Sequence, residues 1–317
     1  MLNTPVALIL FNRPDTTERV FRAIAQAKPR KLLVVADGPR PDKPGEAERC
    51  AAARAVLERI DWDCELLTNF SDTNLGTKRR VSGGLDWVFD QVEEAIILED
   101  DCLPDPSFFP YCQELLERYR HDTRIAMIHG INKQQGQKRT DYSYYFTRYM
   151  HIWGWASWRR AWQHYDVNLA LWPEIRDGGL LKGHFDPHAE REHMEVFEQL
   201  YRGEIDTWDI QWAFACFIQG GLAIAPAVNL ISNLGFGSDA TRTLDPFSLD
   251  ACRQTEALSL PLRHPPYLFR LAAADDFETA YGRSFEARLK RWQIKLRHSL
   301  ARFGGERRTG ARLQPEA

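Results

Sequence analysis

The sequence predicts an α/β fold, a mostly parallel β-sheet flanked by helices. Short apolar runs alternate with amphipathic helical segments through residues 1–130, the βαβα order that a parallel sheet requires. The run at 6–11 is apolar throughout, as a strand buried on both faces must be, and the run at 31–36 is apolar after Lys31. Each run also ends in polar residues, and ligands of such sheets bind beyond the carboxyl ends of the strands.

Taken in order, Val6-Ala-Leu-Ile-Leu-Phe11 is broken by Asn12-Arg13-Pro14. Asp15, with Glu18 three positions on, forms a capping pattern for a helix whose apolar face is Val20, Phe21 and Ile24. The second strand, 31–36, ends in Asp37-Gly38-Pro39. A polar loop then leads to a helix near 46–60, a shorter strand at 64–67 and a helix ending near Gln91. A helix at 107–120 and a strand at 124–129 complete this half.

Between them lies the most informative stretch, Ala95-Ile-Ile-Leu-Glu-Asp-Asp-Cys-Leu-Pro104. An apolar strand runs directly into Glu99, Asp100 and Asp101. Adjacent carboxylates raise one another's pKa, and gathering them is unfavourable unless a positive charge compensates. Mg²⁺ and Mn²⁺ take oxygen ligands, commonly one or two protein carboxylates together with substrate phosphates. If the chain stays extended, Glu99 and Asp101 share one side and Asp100 faces the other. A solvated acidic loop is the competing reading; the apolar lead-in and the turn at Pro104 favour metal–phosphate chemistry.

From about Ile131 the character changes. Tyr142-Ser-Tyr-Tyr-Phe146 is strand-like, and Trp155, Trp158 and Trp162 recur at helical spacing, which assigns them to core. Residues 177–192 read as an irregular loop. His184, His188 and His193 near it show no strict ligand motif and read as surface residues. A helix is expected to start at Thr207-Trp-Asp-Ile, a strand at 222–226, and a glycine-punctuated loop at 233–243, whose glycines permit folding over phosphate or sugar. Residues 284–312 read as a basic amphipathic helix with a frayed tail, carrying Phe285, Leu289, Trp292 and Leu296 at helical spacing.

At 317 residues the chain has room for one large domain or two intimate halves. A net charge of −3 argues against general nucleic-acid binding. The six cysteines lack zinc-type spacing and read as reduced thiols of a cytosolic protein. No signal peptide and no membrane-spanning stretch is visible, so membrane contact is expected to be peripheral.

The ordered motifs across residues 5–245 resemble nucleotide-sugar glycosyltransferases of GT-A fold, in particular the N-acetylglucosaminyltransferase I family and its bacterial relatives. Asn12-Arg13 follows the first strand, and Asp37-Gly38 the second. Glu99-Asp100-Asp101 precedes Asp105-Pro-Ser-Phe-Phe109; Gly154-Trp155, Trp208-Asp209 and Phe236-Gly237 come after. The resemblance implies a GT-A-like fold in which Arg13 and Asp37 hold the nucleoside and Asp100 contacts the ribose. It makes Asp101 the ligand of Mn²⁺ (or Mg²⁺) on the diphosphate and Asp209 the catalytic base, with Asn12 and Glu99 completing the donor set. Where the family commonly has histidine, this chain has Arg242, a residue able to bind diphosphate directly. The family's eukaryotic members carry an amino-terminal membrane anchor; none is visible here, so the expectation is a cytoplasmic protein and not a luminal Golgi one.

The expected reaction is therefore metal-dependent, inverting transfer from a nucleoside diphosphate sugar, UDP-linked, to a hydroxyl of a glycan or lipid-linked acceptor. Residues 1–130 would bind the donor, 131–245 would form the acceptor-binding and catalytic half, and 246–317 an extension that rests on an anionic membrane or on the protein itself. Two alternatives stay open: a sugar-phosphate nucleotidyltransferase, and an inactive nucleotide-sugar-binding module. Asp209 also has a structural reading, as the cap of the helix that follows it.

Overall fold

The computed structural model describes residues 1–236, 253–281 and 284. Its first half follows the predicted alternation: β1 (Val6–Leu10), α1 (Pro14–Ala27), β2 (Lys31–Ala36), α2 (Glu46–Ala55) with a 3-10 turn at Val56–Arg59, β3 (Glu65–Phe70), α3 (Gly76–Gln91), β4 (Glu94–Glu99), β5 (Cys102–Pro104), α4 (Phe108–Tyr119) and β6 (Ile125–His129). The second half adds β7 (Tyr144–Thr147), β8 (Trp155–Trp158), α5 (Arg159–Trp162), α6 (Trp172–Asp177), α7 (Pro187–Tyr201), α8 (Asp209–Ile218), β9 (Leu222–Pro226), β10 (Ile231–Asn233) and α9 (Ala272–Tyr281).

Eight strands form one mixed sheet in the order β3-β2-β1-β4-β8-β6-β9-β7, and β5 pairs separately with β10. β1, β2, β3 and β4 are mutually parallel, as are β6 and β9, while β8 and β7 run antiparallel to their neighbours. The α/β class is thus as the sequence predicts, with helices on both faces. β1 is buried at every position because it lies inside the sheet under helices on both sides.

Strand alternation divides the core in two. Leu8, Leu10, Ile96 and Leu98 face α1, α2 and α4. Ala7, Ile9, Ala95 and Ile97 face α3, α5 and α8. A third cluster joins α6, α7 and the outer side of α8 through Trp172, Phe197 and Phe214.

Three local expectations need correction. Asp15 does not cap α1: the helix starts at Pro14, with Arg13 in the cap position and no side-chain cap bond. Proline's fixed φ suits the first helical position, which leaves Asp15 inside the first turn. Trp155 and Trp158 lie on a strand, three positions apart, so they enter opposite cores instead of sharing a helical face. Both are buried, so their assignment to core holds. The loop expected at 177–192 is shorter, because Asp186 accepts from the His188 and Ala189 amides and starts α7 at Pro187. His184 and His188 are exposed, while His193 is half-buried and stacks on Phe185 at 4.2 Å.

Candidate functional site

The carboxyl ends of β1, β2 and β4 open onto a cavity of about 430 Å³. Glu99 is the last residue of β4, paired with Ile9 of β1. Alternation from Ile97 turns its side chain to the α3/α8 face. The chain then turns through Asp100 and Asp101 into β5, so extension stops at Glu99. Asp100 Oδ2 accepts from the Phe11 amide at 3.0 Å. Arg13 spans the other oxygens: Nη1 donates to Asp101 Oδ2 at 2.9 Å, and Nη2 lies 3.7 Å from Asp100 Oδ1.

The loop after β10 crosses directly over this pair. The Leu234 amide donates to the Asp101 carbonyl at 2.7 Å, and the Gly235 amide donates to Asn233 Oδ1 at 2.7 Å. A Cβ at position 235 would collide with the Asp101 carboxylate and the Arg13 guanidinium. Only glycine lets backbone approach so closely.

Charge at this end is out of balance. Burial pushes the Glu99 carboxyl well above the usual carboxylate range, and Asp101, Asp100 and Asp209 push it further. Glu99 Oε1 is shut off from solvent and has no hydrogen-bond partner. Burial likewise raises Asp100, to about 6, against the pull of Arg13. Burial alone would lower Arg13; Asp100 and Asp101 more than offset it. Among the described residues the Arg13 guanidinium thus faces the three acids Glu99, Asp100 and Asp101, the condition under which a bound cation is stabilising.

Among the described residues no three His, Cys, Asp or Glu side chains converge as a metal cage. The donor set fits a hard divalent ion in another way. Asp101 and the unpartnered Glu99 oxygen offer carboxylate ligands at a strand end, and ions of the Mg²⁺ or Mn²⁺ type complete their shell with water and ligand phosphates.

Across the cavity stands Asp209. It opens α8 as the first helical residue; Trp208 holds the cap position, and no side chain caps the helix. The capping role open to Asp209 in the sequence is therefore not the one it takes. Its Oδ1 instead accepts from the Thr207 hydroxyl, and its side chain lines the cavity. Trp208 fixes this helix start: it is buried and stacks on Trp155 of β8 at 6.1 Å. Trp155 in turn packs on Trp212 and Trp162 at 5.7 and 6.3 Å.

The opposite end of the cavity, beyond β2 and β3, is organised by Asp37. Its carboxylate accepts from the Gly38, Leu75 and Gly76 amides at 2.9, 2.9 and 3.2 Å and from Asn74 Nδ2 at 3.0 Å. That set ties β2 to the start of α3. Asn12 is turned outward to Glu46, donating from Nδ2 at 2.9 Å. Buried Glu46 also holds Arg40 through Oε1 at 2.5 Å, and the Arg40 hydrogen bonds bring its pKa down to about 2.

The fold thus brings Arg13, Asp37, Glu99, Asp100, Asp101 and Asp209 to one cavity; Asn12 stands behind it as a support for Glu46. Arg242 and Gly237 lie outside the described residues. Sequence reasoning missed Arg40, Arg80 and Asp206, which also line the cavity. Arg80 had a signal: it stands beside the apolar stripe Val81, Leu85 and Val88 of α3.

No protein-family model matches this chain, and no curated protein matches it. Among solved structures it is similar to the mannosyltransferase PcManGT from Pyrobaculum calidifontis in complex with GDP-Man and Mn²⁺. Identity is 15%, the TM-score is 0.36, and the match covers 50% of this chain and 46% of that one, under half of its length.

Proposed function

We propose that this chain is a metal-dependent, inverting glycosyltransferase using a UDP-linked sugar and a hydroxyl of a glycan or lipid-linked acceptor. One observation carries the reading: the acid-ended strand Glu99-Asp100-Asp101, whose Asp100 and Asp101 pair with Arg13, faces Asp209 inside the same cavity. The family resemblance rests on the motifs alone and supplies the UDP.

Transfer joins the acceptor oxygen to the anomeric carbon as the bond from that carbon to the diphosphate oxygen breaks. The electron pair leaves with the diphosphate, and Asp209 takes the hydroxyl proton. A single base opposite the leaving group implies inversion. Asp101 would hold the divalent ion, which when bound would supply positive charge for the departing diphosphate. Arg13, pinned between Asp100 and Asp101, adds a fixed cation on the same side. The Thr207 hydroxyl keeps Asp209 oriented.

No described helix is long and apolar enough to cross a membrane. A cytoplasmic enzyme resting on an anionic membrane through 284–302 belongs to the same proposal; apart from Ser284, that segment lies outside the described residues.

The test is incubation with a panel of nucleoside diphosphate sugars, with and without Mn²⁺. Slow, Mn²⁺-dependent release of nucleoside diphosphate is expected. Pyrophosphate formation from a sugar phosphate and a nucleoside triphosphate would instead mark a nucleotidyltransferase. Neither product would mark a binding module.

A further inference from the structure

Asp101 is the residue that would hold the divalent ion, yet both of its carboxylate oxygens are already engaged. Oδ2 accepts from Arg13 Nη1 at 2.9 Å. Oδ1 accepts from the Cys102 thiol at 3.4 Å, and burial keeps that thiol protonated. Gly235 closes over the same Oδ2: a Cβ there would stand 2.0 Å from it and 2.7 Å from Arg13 Nη1. The Leu234 amide fastens this backbone in place through the Asp101 carbonyl. Asp101 is left 8% exposed. Arg13 has a second, looser anchor, its Nη2 lying 3.7 Å from Asp100 Oδ1.

A guanidinium and a divalent ion that seek one oxygen compete for it. Ions of the Mg²⁺ type sit about 2.1 Å from a carboxylate oxygen, and two cations sharing that oxygen repel each other at close range. They are held together only when further negative charge arrives, and a diphosphate is such a charge. It offers oxygens to the ion and also to arginine, which binds phosphate through paired N–H groups.

We propose that Arg13 is the built-in counter-ion of Asp101. Its Nη1 yields Oδ2 when a divalent ion binds and turns to the diphosphate, while Nη2 stays beside Asp100. Ion and diphosphate therefore bind cooperatively, because the diphosphate gives the displaced guanidinium a new partner. This rests on the nucleotide-sugar reading above and deepens it.

The experiment is titration of Mn²⁺ into the full chain, read from the electron paramagnetic resonance signal of the free ion, with and without UDP, GDP, CDP or ADP. The natural chain should bind Mn²⁺ weakly alone and at least about 10-fold more tightly with its nucleoside diphosphate, within the usual range of coupling between sites. Arg13→Met should bind Mn²⁺ alone about 10-fold more tightly than the natural chain, and the gain from the nucleotide should shrink by a similar factor. Arg40→Gln removes another cation from the same cavity and can still donate to Glu46; its affinity for Mn²⁺ should match that of the natural chain. If Arg13→Met does not fold, Arg13→Lys keeps the charge but lacks the fork that spans both acids, and it should show a smaller gain of the same sign. A folded Arg13 variant that binds Mn²⁺ alone no more tightly than the natural chain overturns the counter-ion role alone, and so does an equal gain in Arg40→Gln. No Mn²⁺ binding by the natural chain, with or without any of the four nucleotides, overturns it together with the metal-dependent nucleotide-sugar reading.

Discussion

On the amino-terminal side of the cavity the polar residues stand at strand ends, held by sheet register and backbone amides. On the other side Asp209 stands at the start of a helix, held by a raft of tryptophans. Asp100 is fixed by the Phe11 amide of the adjacent β1 end, and Asp37 by three amides of its own loop and the α3 start. Among the described residues Asp209 has only the Thr207 hydroxyl and the packing of Trp208 on Trp155. A site residue placed by a strand is insensitive to side-chain packing farther away, whereas one placed by packed aromatics moves when the packing does.

The largest expected effect lies on the helix side. Asp209→Asn should cut turnover by about 10²–10⁴-fold, the usual contribution of a positioned base, with donor affinity nearly unchanged. Near-normal turnover would remove Asp209 from the chemistry. Next comes its support. Trp155 is fully buried, and Trp155→Ala should cost about 3–5 kcal/mol by chemical denaturation. Transfer should fall further than nucleoside diphosphate affinity does. An equal fall in both would mean that the two sides of the cavity are not independently built.

The smallest effect uses pH. Asp275 of α9 is buried, accepts from the Thr147 hydroxyl at 2.5 Å and from Arg270 Nη1 at 3.0 Å, and sits at a pKa of about 6, raised chiefly by burial. The folded state holds its proton more tightly than the unfolded state does. Between about pH 4 and 6 stability at α9 should therefore fall as pH rises, by on the order of 2 kcal/mol. Glu46 is the reverse case: lowered to about 2 by Arg40, it stabilises the amino-terminal half above its unfolded pKa of about 4.5 and loses that contribution as pH falls toward 2. Hydrogen exchange resolved by segment should show the two regions responding in opposite directions. A common response would contradict the separation.

The same contrast explains what the sequence revealed. Glu99-Asp100-Asp101 is legible because an apolar run cannot absorb three acids except at its end. Asp37 is legible for the same reason, although two of the amides that fill its carboxylate, those of Leu75 and Gly76, come from 38 and 39 residues away. Trp155 and Trp158 were recognisable as core, but spacing by three fits one helical face as well as two strand faces. Arg80 had only the apolar stripe of α3 beside it as a signal, and Asp206 lies in a segment before α8 whose place at the cavity periodicity does not encode. Gly235 looks like any loop glycine until β10 pairs with β5 and carries it over Asp101.

The central claim is that the acid end of β4 takes a diphosphate together with a divalent cation. Calorimetry of nucleoside diphosphate binding, with and without Mn²⁺, in the natural chain and in Asp101→Ala tests it most directly. Affinity that rises with Mn²⁺ in the natural chain, and a folded variant that has lost that rise, is the predicted result. A variant whose affinity still responds to Mn²⁺ as the natural chain does would contradict it.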